Sequence, residues 1–308
     1  MQKLFKEAMK LMGNHFELSV VSENESRASE QIAAGAAEIR RIEALLTTYN
    51  DASETSLINA QAGIAPVKVS DETFALIERS IRISNITQGA FDITYGSVDR
   101  RLWNFDTTMQ SLPDKAMAKK MTRLINYRNI LLDAEQKTAF LKEIGMRIGF
   151  GGIGKGYAAE RAKAVMQQQG VTSGVVNASG DLTAWGRQPD GSPWTIGIVN
   201  PNAAGEIFSW LDVTDMALAT SGNYEKYVMI DGKRYSHTIN PRTGLPVTGI
   251  KSVTILCPNA EIADALATPV MIMGIQAGLD MIDQLKDIEA ILIDDDNKVY
   301  TSKNIHIS

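Results

Sequence analysis

The stretch from Met146 to Glu160, MRIGFGGIGKGYAAE, constrains this chain more than any other. A short apolar run, read as a strand, enters five glycines with one lysine among them and then an Ala-rich helical pattern. Glycine removes the Cβ and opens φ > 0, and the first turn of a helix offers unpaired N–H groups at the positive end of its dipole. Such a stretch lets a charged group approach the backbone closely, and phosphate suits it best. Two general motifs fit. Gly149, Gly151 and Gly154 spell G-x-G-x-x-G ahead of a second strand, GVVNASGD, as in a dinucleotide-binding βαβ unit. Gly149 to Lys155 spell G-x-x-x-x-G-K, but Gly156 stands where a P-loop needs a hydroxyl for magnesium, so the NTPase reading loses its metal ligand.

With 308 residues the chain is long enough for one large domain or two intimately packed ones. A formal net charge of -5 and 6% aromatic residues argue against a nucleic-acid partner. A single cysteine, Cys257, excludes an internal disulfide and any multi-cysteine metal site, and three histidines are few for a histidine-rich centre. The N-terminal segment lacks the apolar region of a secretory signal, and no run approaches the ~20 apolar residues of a membrane span. The expectation is a soluble chain with no direct membrane span, cytoplasmic or exported with its signal removed.

HFELSVV alternates as a half-buried strand, and from Ser26 to Tyr49 apolar residues at spacings of three and four predict a long amphipathic helix. Ser70, followed by Asp71 and Glu72, predicts the cap of a second helix. QGAFDITYGSVDRRLWNF reads as a surface loop, and Pro113 to Ile125 as a helix with proline in its first turn. After the helix from Lys155 to Gln169, many successive strand candidates, with Asp231-Gly232 as a hairpin turn, argue for antiparallel pairing and an α+β pattern.

Three stretches of the second half are polar where a core would be apolar: TSGNYE, SHTINPRTG and ADALAT. In ADALAT, Asp264 and Thr268 are i and i+4, so a carboxylate and a hydroxyl share one helix face. Oxygen ligands of that kind suit magnesium; the competing reading is a helix cap and a back-bonded threonine. His237 is either a satisfied structural histidine or a proton shuttle or phosphate partner. Lys155, among glycines, reads as a charge partner for phosphate.

In order, MGNHF, TYNDASE, FDITYG, GGIGKGY, NASGD, TSGNYE, HTINPRTG and ADALAT resemble the motifs of the FAD:protein FMN transferase (ApbE) family from Met12 to about Gly274. The resemblance implies an α+β fold with a T-fold-like core of mostly antiparallel sheets packed with helices, a single catalytic domain over 1–308 with an FAD cleft between two subdomains. It implies transfer of the FMN part of FAD to a threonine hydroxyl of an acceptor protein, a membrane redox-pump subunit, with AMP leaving and Mg2+ required. By motif, Met12, Tyr49, Ala90, Phe91 and Asp92 line the FAD, Lys155 belongs to its site, and His237 and Thr238 lie near the pyrophosphate. The metal set is Gly152 and Ala267 through their carbonyls with Asp264 and Thr268 through their side chains, and His237 and Asp264 are the catalytic candidates. A periplasmic or cell-envelope location also follows from the resemblance. The sequence departs from the family pattern at Gly149, where an Asp is usual, and at Asn14, Ser179 and Asn240. FAD hydrolysis to FMN and AMP, and FAD binding without turnover, are the competing functions.

Overall fold

The structure, a computed structural model, describes residues 1–98, 111–199, 207–222, 227–230, 232–236 and 238–305. His237, the NYE part of TSGNYE, Asp231, His306 and the RLWNF segment lie outside the described residues. In chain order the elements are β1 (Lys3–Leu11), β2 (Asn14–Ser22), α1 (Glu25–Leu46), α2 (Glu54–Ala60), β3 (Val67–Lys68), α3 (Asp71–Ile86), α4 (Lys115–Thr122), β4 (Ile130–Asp133) and β5 (Thr138–Leu141). Then follow α5 (Gly154–Gln168), β6 (Gly174–Ala178), β7 (Asp181–Trp185), β8 (Trp194–Val199), β9 (Ile207–Val213), β10 (Met216–Gly222), β11 (Tyr227–Ile230) and β12 (Lys233–Ser236). The chain closes with β13 (Ile250–Cys257), α6 (Ala260–Met273), α7 (Ile275–Ile282), β14 (Glu289–Asp294) and β15 (Val299–Thr301).

An eight-stranded sheet in the order β1-β2-β6-β7-β10-β13-β14-β15 forms the frame, and every pairing in it is antiparallel. Alternation along the strands builds two cores. Phe16, Leu18 and Val20 of β2, Ala217 and Ala219 of β10, and Val253 and Ile255 of β13 join the main core with α1, α5 and α6. Val21, Leu218 and Leu256 point the other way, against Trp194, Ile198 and Val213 of the β8–β9 hairpin. Strands covered on both faces read as continuous apolar runs, as SVTILC does.

Helix signals in the sequence hold where they rest on caps and periodicity. Ser70 caps α3 by accepting from the Thr73 N–H, and α1 buries Ile32, Ala36, Ile39, Ile42 and Leu46 along one stripe. The helix expected over 113–125 is shorter, α4, because Asp114 caps it by accepting from the Met117 N–H, which leaves Pro113 outside.

Three expectations are corrected. The apolar run before the glycines, residues 146–150, is in no strand. Its backbone is satisfied by a side chain instead: Asn59 of α2 donates to the Ile148 carbonyl (3.0 Å) and accepts from the Ile148 N–H (2.7 Å). With no strand there, and with β6 antiparallel to both its neighbours, the G-x-G-x-x-G reading as a parallel βαβ unit fails. Finally, the described part of the expected surface loop is a 3-10 turn, Ile93–Ser97, preceded by buried Ala90, Phe91 and Asp92. It is pinned by the Gly149 N–H donating to the Ile93 carbonyl (2.9 Å).

Candidate functional site

At the glycine turn the Gly154 N–H donates back to the Phe150 carbonyl (2.6 Å) and α5 begins with Ile153 as a cap residue that supplies no side-chain oxygen. The orphan donors of that first turn need an acceptor from elsewhere. Asp264 of α6 provides it: its Oδ2 accepts from the Gly156 N–H (2.9 Å). A carboxylate at the positive end of α5 is favoured by the helix dipole as well. So Asp264 is a helix cap, but of α5, not of its own helix.

Gly156 explains how the two helices come so close. A Cβ there would stand 2.1 Å from the Ala260 carbonyl oxygen and 2.8 Å from the Asp264 Cβ. The hydroxyl residue of a P-loop has no room at this position.

Lys155, one residue earlier, points into the same site. Its Nζ lies 2.5 Å from Oδ2 of Asp181, the first residue of β7, and Asp181 Oδ1 accepts from the Thr220 N–H (3.1 Å) of β10. On the next residue of β10, Ser221 Oγ lies 2.8 Å from Thr268 Oγ1, one helical turn beyond Asp264. Lys155, Asp181, Ser221, Asp264 and Thr268 thus converge from α5, β7, β10 and α6. Ala267, buried, precedes Thr268 on the same helix.

Two carboxylates and one ammonium leave this buried site with an excess of negative charge. Burial, and then the neighbouring Asp181 charge, push the Asp264 carboxyl up to about 7, against the pull of Lys155 and of the Gly156 and Lys155 N–H groups. Burial works against the Lys155 ammonium, but the Asp181 and Asp264 charges outweigh it and hold its pKa above the usual lysine value. A buried carboxylate that resists ionising is what a divalent cation relieves. Among the described residues no group of three His, Cys, Asp or Glu gathers to bind a metal. The donor set is hard oxygen, two carboxylates with hydroxyls beside them, and fits magnesium, which takes few protein ligands and completes its shell with water and phosphate.

A second group flanks the glycine turn. Met12 and Gly13 (φ 51 and 71) make the two-residue hairpin between β1 and β2, and the Met12 N–H is fixed by Glu43 Oε2 (2.9 Å). A Cβ on Gly154 would lie 3.8 Å from Met12 Cε, and one on Gly152 would lie 3.8 Å from Phe91 Cε2. Met12, Phe91, Gly152 and Gly154 are therefore neighbours. Around Gly149 and Gly151 a Cβ would meet nothing within 4 Å, so that side of the turn is open.

Other expected site residues are placed differently. Both oxygens of Asp92 are engaged within the protein: Oδ1 accepts from the Thr94 N–H (2.8 Å) and hydroxyl (2.6 Å), and Oδ2 from the Tyr127 N–H (2.8 Å). Burial still holds its carboxyl above the usual range. Its side chain anchors the Ala90–Phe91 segment. Tyr49 stands 96% exposed in the loop after α1, its N–H donating to Thr47 Oγ1 (3.2 Å). Thr238 is buried, with its N–H on Ser236 Oγ (2.8 Å) and its carbonyl accepting from Val247. The position of His237 lies outside the described residues.

Asp181 and Ser221 are the residues that sequence reasoning left out of the site. Each had a signal, an acid after the tight turn in NASGD and a hydroxyl in TSGNYE. Of the departures at Ser179, Asn240 and Asn14, the last two find their reasons. Ser179 sits at φ 59, a left-handed position where glycine is easier. Asn240 accepts from the Arg242 N–H through Oδ1 (2.9 Å), which an amide does as well as a carboxylate. Asn14 donates to the Met12 carbonyl (2.7 Å) and so closes the first hairpin.

The ApbE family profile matches residues 12–292. A FAD:protein FMN transferase of Klebsiella pneumoniae is 32% identical over 285 residues, spanning 92% of this chain and 87% of its own length. One of Treponema pallidum is 30% identical over 282 residues, spanning 87% of this chain and 78% of its own length. Among solved structures, an ApbE protein of Thermotoga maritima superposes with a TM-score of 0.87 at 27% identity, covering 98% of this chain and 97% of that one. The flavin transferase ApbE of Vibrio cholerae gives 0.86 at 25% identity, covering 98% of each.

Proposed function

Because the chain belongs to the ApbE family, we propose that it is a flavin transferase that moves the FMN moiety of FAD onto a threonine hydroxyl of an acceptor protein and releases AMP. The observation that carries this reading is Asp264, 7% exposed, capping α5 beside Lys155 and Asp181 with Thr268 one turn away. In the transfer, the threonine oxygen forms a bond to the FMN phosphorus. The bond from that phosphorus to the bridging oxygen breaks, and AMP departs with the electron pair.

Each protein group has a part in that exchange. Lys155 faces the pyrophosphate and offsets charge on the departing phosphate. Met12 and Phe91, either side of the glycine turn, hold the flavin side of the substrate against the backbone. Asp264 or His237 accepts the threonine proton. Mg2+ would be held by the side chains of Asp264 and Thr268 and the carbonyls of Gly152 and Ala267, and would supply further charge neutralisation on the phosphates. The acceptor is a redox-pump subunit at the cell envelope; no helix among the described residues is long and apolar enough to cross a membrane.

AMP release measured with and without a threonine-bearing acceptor tests the reading. Release that depends on acceptor and on magnesium is expected. Equal release without acceptor would make the protein an FAD pyrophosphatase, and no release with either would make it a binding protein.

Gly149 yields a second prediction. The open space around it admits a side chain, and the family's usual Asp supplies a hydrogen-bonding carboxylate there. Gly149→Asp is expected to tighten FAD binding by about five- to tenfold, the worth of one net hydrogen bond of about 1–1.5 kcal/mol. Flavin-fluorescence titration checks it, and unchanged or weaker binding would show that nothing on FAD meets that position.

A further inference from the structure

We propose that a cavity of about 420 Å³, bordered by Asp92, Lys119, Arg123, Tyr127, Arg128 and Arg242, receives an acidic segment of the acceptor protein during transfer. The inference rests on the transferase reading and names the chemistry of its partner.

Four cationic side chains meet there from three separate parts of the chain: α4, the segment after it, and the Pro241–Arg242 turn. The whole chain carries a formal net charge of -5, so this concentration runs against its overall balance. Asp92 is the carboxylate among the lining residues, and its two oxygens are already held by Thr94 and Tyr127. Two of the guanidinium groups are fixed in place. Arg242 donates to the Gln88 carbonyl, and Arg128 stacks 4.6 Å from the centre of the Tyr127 ring. Arg123 shares its charge with Glu143 at 3.6 Å, on an exposed surface where such a pair is weak.

The cavity adjoins the glycine turn. Phe91 meets the glycine turn at Gly152, whereas the next residue, Asp92, lines the cavity. FAD carries its negative charge on one group, the pyrophosphate, and that group belongs with Lys155 and the Asp264 site. The four cations of the cavity then have no anion of FAD to bind. The other reactant is a protein, which must bring a threonine hydroxyl to the phosphorus from outside. Carboxylates on the acceptor chain beside that threonine match the cavity in charge, and the exposed positions of Lys119, Arg123, Arg128 and Arg242 suit a peptide laid across a rim.

The test uses the intact protein, FAD, magnesium and the soluble domain of a threonine-bearing redox-pump subunit, with Lys119→Glu/Arg123→Glu compared with wild type and with Lys119→Gln/Arg123→Gln. The expected result is a rise in acceptor KM of about tenfold or more for the charge reversal and a smaller rise for the neutral pair. FAD Kd from flavin fluorescence stays unchanged, and the wild-type acceptor KM climbs with ionic strength. An acceptor KM within about twofold of wild type in both variants overturns the proposal. A parallel rise in FAD Kd also overturns it, since the cavity would then belong to the FAD site. If wild type labels no acceptor while binding FAD normally, the transferase reading itself has failed and this proposal falls with it.

Discussion

Asp264→Asn is expected to abolish flavin transfer and, in the absence of ligands, to make the protein more stable at pH 8. Both effects come from one feature, a buried carboxylate whose ionised form is disfavoured by burial and by Asp181. Its folded pKa, about 7, lies above the ordinary value of 3.8. Below pH 4 the group is protonated whether the chain is folded or unfolded, and it costs nothing. Between about 4 and 7 the unfolded chain ionises it while the folded protein holds the proton, so its contribution to stability falls as pH rises. Above 7 the full penalty is present, on the order of a few kcal/mol. Asparagine keeps an oxygen for the Gly156 N–H and carries no charge, so it removes the penalty and keeps the cap. Thermal melts of the ligand-free proteins should converge near pH 4 and separate towards pH 8, with the variant higher. Turnover should drop by about 10²–10⁴-fold, as loss of a positioned proton acceptor or metal ligand does. A variant less stable than wild type at pH 8 would contradict the electrostatic account; a variant with normal turnover would remove Asp264 from the chemistry.

Gly156→Ala is the second large effect. The new Cβ would lie 2.1 Å from the Ala260 carbonyl oxygen and 2.6 Å from its carbon, both backbone atoms that cannot rotate away. The α5 and α6 helices must separate, which breaks the Gly156-to-Asp264 bond and carries Lys155 away from Asp264. Overpacking of this kind costs about 1–3 kcal/mol or more, so a fall in melting temperature together with loss of FAD-dependent AMP release is expected. Gly151→Ala is the control. Its Cβ meets nothing within 4 Å, and its melting temperature should match wild type. Equal stability of the two variants would show that α5 and α6 do not depend on this contact.

Much of the scaffold is legible in the residues because it follows local rules. Ser70 with Asp71 and Glu72, the apolar stripe of α1, and the spacing of Asp264 and Thr268 all express helix geometry directly. Strand β1 is not legible in the same way, because KLFKEAMKL lies at a sheet edge with most of its side chains exposed and shows little alternation. The run at 146–150 looks like a strand, but an asparagine from α2 takes the backbone bonds of Ile148, a partnership 89 residues distant that no local pattern reveals.

The site divides along the same line. Lys155, Asp264 and Thr268 announce themselves, because an isolated lysine among glycines and polar residues on an apolar helix are locally out of place. Asp181 looks like an ordinary turn acid until the fold pairs it with Lys155. Gly156 looks like a defect in a P-loop until α6 is seen lying where a hydroxyl would go. Asp92 is the reverse: its motif suggests a ligand contact, and the structure directs its carboxylate inward to the backbone of Tyr127.

FMN is expected to leave this site attached to a threonine. Mass analysis of acceptor peptides, after incubation with FAD and magnesium, measures that most directly. One FMN joined by a phosphoester to a threonine is expected, lost when magnesium is chelated and lost again with Asp264→Asn. Unmodified acceptor alongside released FMN and AMP would contradict it.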